Sequence, residues 1–494
     1  MQKRATWRKV APVSTPVMTP TRVVQLLGER DRSVPAYRWL ADGLRLLIAD
    51  GRIALGHTLP SERRLSDAMG VSRTTVTRAY ALLVDAGFLR ARHGSGHLAT
   101  LPSAGHRVGV GGALIPGTDD SDGVIDLTCA ASRAPAGTAE AYAAALASLP
   151  AFLGGTGYAT AGLPALREAI AARYAERGLP TDPDQILVVS GALAGFGLAV
   201  RALTRPAEKV LVESPSYPNA LDAVRRAGAH LVPLPVDPQG WDLELAAATI
   251  ASARPVLACL ILDFHNPTGA LLDDDGRARL AASLRRAGTV AVVDETMLEV
   301  RLDEAPRPLP FAAHLSRTVL VGSASKSHWG GLRVGWLRVP HRLLPQLTRA
   351  RLADDLGAPI LEQLTLRELL ARGHGLHPER AQELRAARAV MEAALPSALP
   401  SCRWTRPAGG LCLWVELPGP RAHQLAAAAR EEGLLVSPGP QFAASHGLQR
   451  YVRLPYKDPP EVVSDAMGRL ARAWRRQQDL PDGPVAARPR PVVA

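Results

Sequence analysis

Lysine is scarce in this chain of 494 residues, which has five lysines among its 58 basic residues. Because arginine is the usual surface cation here, a lysine in an uncharged setting calls for a chemical reason. Lys326 has such a setting, among serines and glycines, whereas Lys209 lies in a charged turn and Lys457 in a Lys-Asp-Pro-Pro loop. A partly desolvated amine can lose its proton and attack a carbonyl. Lys326 is therefore a candidate reactive residue.

Cysteine and long apolar runs are also in short supply. The four cysteines at positions 129, 259, 402 and 412 have neither metal-site spacing nor the spacing of a disulfide framework. No apolar segment follows the basic N-terminus, and no run approaches the length of a membrane span. We therefore expect a cytoplasmic protein without a metal site. With 47% hydrophobic residues, the chain is long enough to build two or more domains.

Positive charge is concentrated at the start of the chain. Residues 1–107 hold 17 Lys+Arg and 7 Asp+Glu, whereas the rest hold 41 and 39, so most of the net charge of +12 lies in the first fifth. This asymmetry is typical of a nucleic-acid-binding module joined to a nearly neutral partner. A basic disordered arm accounts for residues 1–33 but not for the patterned segment that follows.

Residues 34–100 have the pattern of a helix-turn-helix followed by a hairpin. Apolar residues at helical spacing from Tyr37 to Ile48 predict a first helix, and Ser61 and Ser72 are expected to cap a second and a third. The third helix opens with hydroxyl groups and one guanidinium, which suit base edges and phosphates in a major groove. Two short strands around a glycine-rich tip then predict a wing. A helical bundle with an incidental hairpin is the competing interpretation.

This segment resembles the winged-helix domain of the GntR-type regulators. The resemblance rests on Leu-Pro-Ser-Glu-Arg at Leu59–Arg63 and Gly-Val-Ser-Arg-Thr-Thr-Val at Gly70–Val76. It implies that the third helix contacts double-stranded DNA and that the wing tip enters the minor groove. The expected DNA-binding residues are Arg63, Ser72, Arg73, Thr74, Thr75, Thr77, His93 and Gly94. Thr77 stands where some relatives have an arginine.

From residue 124 onward strand-like and helix-like runs alternate, which predicts an α/β fold with a mainly parallel sheet. Residues 101–123 are glycine-rich and are expected to form a linker, and residues 476–494 a disordered tail. Polar groups follow five predicted strands. They begin at Ser190, Glu213, Asp263, Asp294 and Ser323. Because open α/β sheets bind ligands at the carboxyl ends of their strands, one crevice is expected to hold these groups; capped turns are the alternative.

The loop around Lys326 follows the last of these strands. An amine that can form a Schiff base, neighbouring serines and Arg333 seven residues on are a plausible set for pyridoxal phosphate. Ser190, Gly191 and Ala192 open a helix whose free N–H groups suit a phosphate, helped by Ser323. An ordinary solvated Ser/Gly loop is the competing interpretation.

The pyridine ring of such a ligand also has candidate partners. Tyr217 offers a flat face for the ring, and Asp294 can hold a proton on the ring nitrogen. Asn266 can donate to the phenolic oxygen. For Asp294 the alternative is an ordinary turn residue at a strand end.

Residues 124–475 resemble the fold-type I aminotransferases. The matching motifs are Tyr158–Arg167, Pro215–Asn219, Asn266–Gly269, the Ser-x-Ser-Lys loop with Arg333, and Tyr451–Leu454. The resemblance implies a small C-terminal subdomain at about residues 345–475 and a homodimer with its sites at the subunit boundary. It implies that Lys326 is the Schiff-base lysine for pyridoxal 5'-phosphate and that Tyr158 reaches the phosphate of the neighbouring subunit. It also implies that Arg453 grips a ligand carboxylate, a geometry that suits guanidinium.

Met297 departs from the aminotransferase pattern. Three residues after the ring-nitrogen aspartate, these enzymes commonly have a tyrosine whose hydroxyl holds the phenolic oxygen. A methionine supplies no such donor, so general acid–base turnover is expected to be less efficient. Met297 therefore favours a domain that binds cofactor and amine over one that turns over quickly.

A winged helix followed by an aminotransferase-like domain resembles the MocR subfamily of GntR regulators. That resemblance implies a transcriptional regulator that senses an amino compound, or pyridoxal phosphate itself, and changes the spacing of two winged helices on DNA. Two other functions stay open. The chain could be a working aminotransferase with a DNA-binding arm, or a cofactor-free dimeric DNA-binding protein.

Overall fold

The computed structural model describes residues 18–30, 32–49, 52–53, 57–92, 96–100, 123–131, 133–373 and 375–478. Internal contacts divide the chain into an N-terminal unit, residues 1–106 with the short segment Pro135–Ala139, and a C-terminal unit that holds the other residues. The expected linker lies outside the described residues except for Gly123. The disordered tail expected from residue 476 is wrong for residues 476–478, which belong to the helix Pro460–Gln478, and the rest of that tail lies outside the described residues. Within the described ranges, no helix is long and apolar enough to cross a membrane.

Helices followed by a hairpin make up the described part of the N-terminal unit. They are α1 (Pro20–Leu27), α2 (Ala36–Ala49), α3 (Glu62–Met69), α4 (Arg73–Asp85), β1 (Leu89–Arg92) and β2 (Gly96–Ala99). The Ser61 hydroxyl accepts the Arg64 N–H at 3.5 Å and the Ser72 hydroxyl accepts the Thr75 N–H at 3.1 Å, so both serines cap as predicted. The antiparallel pairing of β1 with β2 confirms the hairpin.

The disorder expected for residues 1–33 is wrong for α1. The Thr19 hydroxyl accepts the Arg22 N–H at 3.3 Å, and Pro20 occupies the first helical turn, where its missing N–H costs nothing. Val23 is fully buried in the apolar cluster of this unit, and Leu27 packs so closely on Gly43 of α2 that a Cβ there would lie 2.6 Å from Leu27 Cδ2. Tertiary burial therefore stabilises a helix too short to signal itself in the sequence.

Strands and helices alternate through the C-terminal unit. The strands are β3 (Ile125–Asp126), β4 (Ile186–Val189), β5 (Lys209–Ser214), β6 (His230–Asp237), β7 (Gly240–Trp241), β8 (Leu257–Leu260), β9 (Val290–Asp294), β10 (Thr318–Ser323), β11 (Gly335–Arg338), β12 (Cys412–Glu416), β13 (Leu434–Leu435), β14 (Ser437–Pro438) and β15 (Tyr451–Pro455). The helices are α5 (Thr138–Ser148), α6 (Pro164–Glu176), α7 (Ala192–Leu203), α8 (Pro218–Arg226), α9 (Leu243–Ala253), α10 (Asp274–Ala287), α11 (Phe311–His314), α12 (Leu344–Leu352), α13 (Ile360–Ala371), α14 (Pro378–Ala398), α15 (Ala422–Glu431) and α16 (Pro460–Gln478).

An eight-stranded sheet forms the centre of this unit, in the order β4-β11-β10-β9-β8-β5-β6-β7. The neighbours from β10 to β6 are parallel, whereas β11 runs antiparallel to both β4 and β10. The five predicted strands correspond to β4, β5, β8, β9 and β10, and all five belong to this sheet. The prediction of a mainly parallel sheet is therefore confirmed.

Helices cover both faces of the sheet. On one face, Ile170 and Tyr174 of α6 and Leu280 of α10 are buried against the sheet, and on the other Phe196 of α7 and Leu221 of α8 are buried. A second sheet, β12-β15-β14, packs with α14, α15 and α16 around a separate apolar cluster. This double covering leaves the strand ends as the open edge at which a ligand can approach.

Candidate functional site

The carboxyl ends of the parallel strands bring the predicted ligand groups to one edge of the sheet. Asp294 is the last residue of β9 and is in register with Val321 of β10, five residues before Lys326. Ser190 follows β4 and Tyr217 lies just beyond β5. Electrostatic effects on the pKa of Lys326 come from Asp294 and Arg453 as well as from burial. These side chains therefore share one site.

Lys326 lies on a single π-helical turn, Ser325–Trp329, directly after β10. Its Nζ donates to the Ala130 carbonyl oxygen at 2.8 Å. Burial lowers the pKa of the Lys326 amine, and the positive charge of Arg453 acts in the same direction, against the opposing effects of Cys129 and Asp294. A lowered pKa increases the neutral fraction of the amine, which is the nucleophilic form. The shift favours the chemical form of the amine that a Schiff base requires.

Asp294 presents a carboxylate beside that amine. Its Oδ1 accepts the Thr296 N–H at 2.8 Å, which fixes the side chain at the end of β9. Burial raises the pKa of Asp294, and the Thr296 hydrogen bonds and the charge of Lys326 oppose that rise. A carboxylate in this setting can hold a proton on a heteroaromatic nitrogen.

An anion cradle lies between β4 and the Lys326 loop. Gly191, with a φ of 97°, caps the N-terminus of α7, whose first N–H groups lack helical partners. Arg333, itself at a φ of 52°, donates from Nη2 to the Ser190 carbonyl oxygen at 3.4 Å. A Cβ on Gly191 would lie 2.7 Å from Arg333 Nη2, which is the movable end of a side chain, so it is the positive φ of Gly191 that favours glycine here. Ser323 lies nearby, and its hydroxyl accepts the Ser325 N–H at 3.0 Å.

Arg453 is a buried cation on β15 with an unused donor. It is 2% exposed, its Nη1 donates to Asn266 Oδ1 at 3.3 Å, and its Nη2 donates to the Thr128 carbonyl oxygen. Its guanidinium carbon lies 4.8 Å from the centroid of the Phe442 ring. Among the described residues, Arg453 Nε has no hydrogen-bond partner. A buried N–H without a partner is costly, and a ligand carboxylate could satisfy it.

Tyr217 lies close to this group, and Tyr158 is largely exposed. Burial raises the pKa of Tyr217, and its hydroxyl accepts a hydrogen bond from Asn219 Nδ2 at 3.1 Å. Tyr158 is 69% exposed, so its ring is not enclosed by the residues around it. Met297 is 3% exposed and packs in the apolar cluster with Phe264.

Sequence reasoning missed Thr128, Ala130 and Phe442 as site residues. Their contributions come from backbone carbonyl oxygens and from an aromatic face, which carry no sequence motif. Asp126 shapes the Thr128 segment, because its Oδ1 accepts both the Thr128 N–H at 2.7 Å and the Thr128 hydroxyl at 2.6 Å. This Asp-x-Thr spacing was the available signal, since aspartate often bonds to the backbone two residues on.

The N-terminal unit displays a second candidate site on α4. The first turn of α4 is largely exposed, with Ser72, Arg73 and Thr74 open to solvent and Thr75 half-buried. Thr77 is exposed too, but its hydroxyl donates to the Arg73 carbonyl oxygen at 3.0 Å. Arg63 on α3 is also exposed, whereas His93 and Gly94 lie outside the described residues. The exposed face carries guanidinium and hydroxyl donors, which suit DNA.

Comparison with known proteins gives a family for each of the two units. Residues 125–470 match the family described as aminotransferase class I and II, and residues 36–98 match the gntR family of bacterial regulatory proteins. The probable rhizopine catabolism regulatory protein MocR of Rhizobium meliloti is 29% identical over 75% of this chain and 79% of its own. The HTH-type transcriptional regulator TauR of Rhodobacter capsulatus is 29% identical over 87% of this chain and 94% of its own.

A solved structure supports the fold of the larger unit. It is the α-aminoadipate aminotransferase LysN of Thermus thermophilus, in complex with N-(5'-phosphopyridoxyl)-L-leucine. Its TM-score is 0.66, with 30% sequence identity over 72% of this chain and 93% of that chain. The GntR match implies that the N-terminal unit binds DNA. The chain therefore belongs to the aminotransferase class I and II family and, through its GntR-type helix-turn-helix, to the MocR subfamily of transcriptional regulators.

Proposed function

We propose that this regulator holds pyridoxal 5'-phosphate in the C-terminal unit and uses it to sense an amino compound. The observation that carries the proposal is the buried Lys326 amine, which shares its site with Asp294 and the unpartnered Nε of Arg453. The segment at Gly191 suits a phosphate, because the Arg333 guanidinium lies against the N-terminus of α7, whose first N–H groups lack helical partners. When bound, the cofactor supplies an aldehyde carbon that joins reversibly to primary amines.

The residues around that carbon have separate tasks. Lys326, whose pKa is lowered by burial, is the amine that attaches the cofactor. Asp294 holds the ring nitrogen, Asn266 faces the phenolic oxygen, and Tyr217 lies along the ring. Ser190, Gly191, Ala192, Ser323 and Arg333 hold the phosphate. These assignments follow the aminotransferase resemblance and agree with the positions of the side chains at one sheet edge.

Arg453 gives the site a preference for amines that carry a carboxylate. It lies on β15, whereas Lys326 and Asp294 lie at the ends of β10 and β9. An amino acid held at both ends therefore bridges the large sheet and the second sheet. Such a ligand changes DNA binding only if it binds one arrangement of the protein more tightly than another.

We also propose a homodimer in which Tyr158 completes the phosphate site of the neighbouring subunit. The high exposure of this ring leaves it available for such a contact. Two winged helices in one dimer could then bind two half-sites of one operator, with Arg63, Arg73, Thr74, Thr75, His93 and Gly94 at the DNA. Free pyridoxal phosphate is the alternative effector.

Lys326→Ala tests the sensing role. The variant is expected to lose the visible absorbance of lysine-bound pyridoxal phosphate and any effect of amines on DNA binding, while keeping its basal affinity for DNA. Lys209→Ala, which changes an exposed lysine on β5, is the matched control. Amine-dependent DNA binding that survives in Lys326→Ala would contradict the proposal.

A working aminotransferase remains the second candidate, because Asp294 and Lys326 are both retained. Met297, buried in an apolar cluster, offers no hydroxyl to the phenolic oxygen. Sustained transfer of amino groups from donors to a keto acid, over many turnovers, would favour the enzyme. A spectral change that stops at one equivalent of amine would favour the sensor, and no cofactor absorbance at all would favour a cofactor-free DNA-binding protein.

A further inference from the structure

The carboxylate of Glu213 and the imidazole of His265 are fully buried, and His265 directly precedes Asn266 in the chain. Glu213 on β5 accepts the Trp241 Nε1–H at 2.8 Å with Oε1 and the Ile261 N–H at 2.7 Å with Oε2. His265 Nε2 lies 3.4 Å from Glu213 Oε2. The His265 ring meets Trp241 edge-on, with ring centroids 5.8 Å apart. Glu213 thus has two fixed donors and one imidazole neighbour.

The other nitrogen of the imidazole organises the loop that follows. The Thr268 N–H donates to His265 Nδ1 at 3.5 Å, and Thr268 Oγ1 lies 2.9 Å from the same nitrogen. Thr268 Oγ1 also accepts the Ala270 N–H at 3.3 Å, so the hydroxyl proton is free to point at Nδ1. A backbone N–H can donate only to an unprotonated nitrogen, so the Thr268 contact favours a ring proton on Nε2. Nε2 has no hydrogen-bond partner among the described residues, so Glu213, whose Oε2 lies 3.4 Å away, favours a proton there through its charge alone.

The same loop carries the residue that orients Arg453. The His265 N–H donates to the Ala270 carbonyl oxygen at 2.8 Å, and the Gly269 N–H donates to the His265 carbonyl oxygen at 2.6 Å. Asn266 lies inside this closed turn, and its Oδ1 accepts from Arg453 at 3.3 Å. A loop that loosens would therefore misplace one of the two acceptors that hold the guanidinium.

We propose that His265 and Glu213 are positioning residues for carboxylate recognition. Glu213 selects the imidazole tautomer, the imidazole and Thr268 shape the loop, and the loop holds Asn266 against Arg453. This inference rests on the proposed function, in which Arg453 binds the carboxylate of an amino compound. It predicts that substitutions of Glu213, His265 or Thr268 alter the preference for amines that carry a carboxylate, although none of these residues contacts the ligand.

The test compares L-alanine with ethylamine, which share an amine but differ in the carboxylate. Dissociation constants come from the change in visible absorbance of the reconstituted protein. His265→Leu and Thr268→Val are expected to weaken L-alanine binding about tenfold while ethylamine binding stays within about twofold. His265→Asn, whose amide oxygen can replace Nδ1 as acceptor, is expected to restore most of the preference. Thr268→Val keeps the shape of the side chain. If His265→Leu fails to fold, the affinities of Thr268→Val for L-alanine and ethylamine still test the inference.

A second measurement needs no cofactor. Nitrogen-15 spectra of histidine-labelled apoprotein are expected to show His265 with its proton on Nε2, and Glu213→Gln is expected to weaken that preference. An unchanged alanine-to-ethylamine ratio in both His265→Leu and Thr268→Val, or a proton on Nδ1, would overturn the inference. If the wild-type protein responds to neither amine, the proposed sensing role fails instead, and the tautomer still decides whether Glu213 sets the state of the imidazole.

Discussion

Arg453→Lys is the substitution that tests the ligand site most directly, because it keeps the positive charge and removes only the planar fork. In the structure, Nη1 and Nη2 are held by Asn266 and Thr128, and Nε has no partner among the described residues. A lysine ammonium cannot hold both acceptors and still present a donor at the position of Nε. The change therefore separates charge from geometry.

The expected magnitude follows from the hydrogen bonds involved. One charge-assisted hydrogen bond to a carboxylate contributes about 1.5–3 kcal/mol, so its loss weakens binding by about ten- to a hundredfold. Absorbance titration of the reconstituted variant with L-alanine measures this loss, and ethylamine serves as the control ligand because it has no carboxylate. Thermal unfolding checks that the fold survives with Asn266 and Thr128 less well paired. L-Alanine affinity within about twofold of the wild-type value would refute the role of the guanidinium, since charge alone would then suffice.

Three further outcomes are expected. Arg73→Ala is expected to weaken binding to the DNA upstream of the protein's own gene by about 1–3 kcal/mol in a mobility-shift titration, with little change in binding to unrelated DNA. Equal losses of affinity for both DNAs would indicate that Arg73 contacts a phosphate rather than a base. Ser72→Ala removes the cap of α4 and is expected to lower the free energy of unfolding of the N-terminal unit by about 1 kcal/mol in urea. Burial alone would raise the pKa of Asp303, but the hydrogen bonds and positive charges of Arg388 and Arg406 together outweigh it, so the pKa is lowered. The interaction of Asp303 with Arg388 therefore stabilises the folded protein at pH values above the ordinary aspartate pKa, and this stabilisation is lost as the pH falls through the lowered pKa. The urea midpoint of Asp303→Asn is expected to change less between neutral and acid pH than the midpoint of the wild-type protein.

Asn266 and Arg453 illustrate how a motif can identify residues without revealing how they are held. Both were predicted as ligand-site residues from their motifs. Their direct hydrogen bond joins the loop after β8 to β15, 187 positions apart in the chain. The buried Glu213–His265 pair behind them carries no recognisable spacing, because its two members come from different strand ends. Such contacts arise only when the sheet order brings distant segments together.

Local chemistry made the rest of the fold predictable. Ser61 and Ser72 cap their helices through bonds to residues three positions on, which spacing alone can specify. The polar groups after five strands were predictable for a related reason, since parallel strands place their carboxyl ends at one edge whatever their order. The helix α1 was missed because its stability comes from packing on α2 rather than from its own eight residues.

The sequence by itself determined the two modules, the capped helices and the alternation of strands and helices, and it singled out Lys326 as a candidate, because each of these depends on residues near one another in the chain. Only the tertiary structure decided that Lys326 donates to the Ala130 carbonyl oxygen, that Arg453 Nε has no partner among the described residues, and that the His265 imidazole lies against Thr268 in the loop that carries Asn266. Those features depend on which distant segments of the chain lie close together in space, and on burial, which changes the proton affinity of a side chain. A pattern of residues along the chain specifies neither.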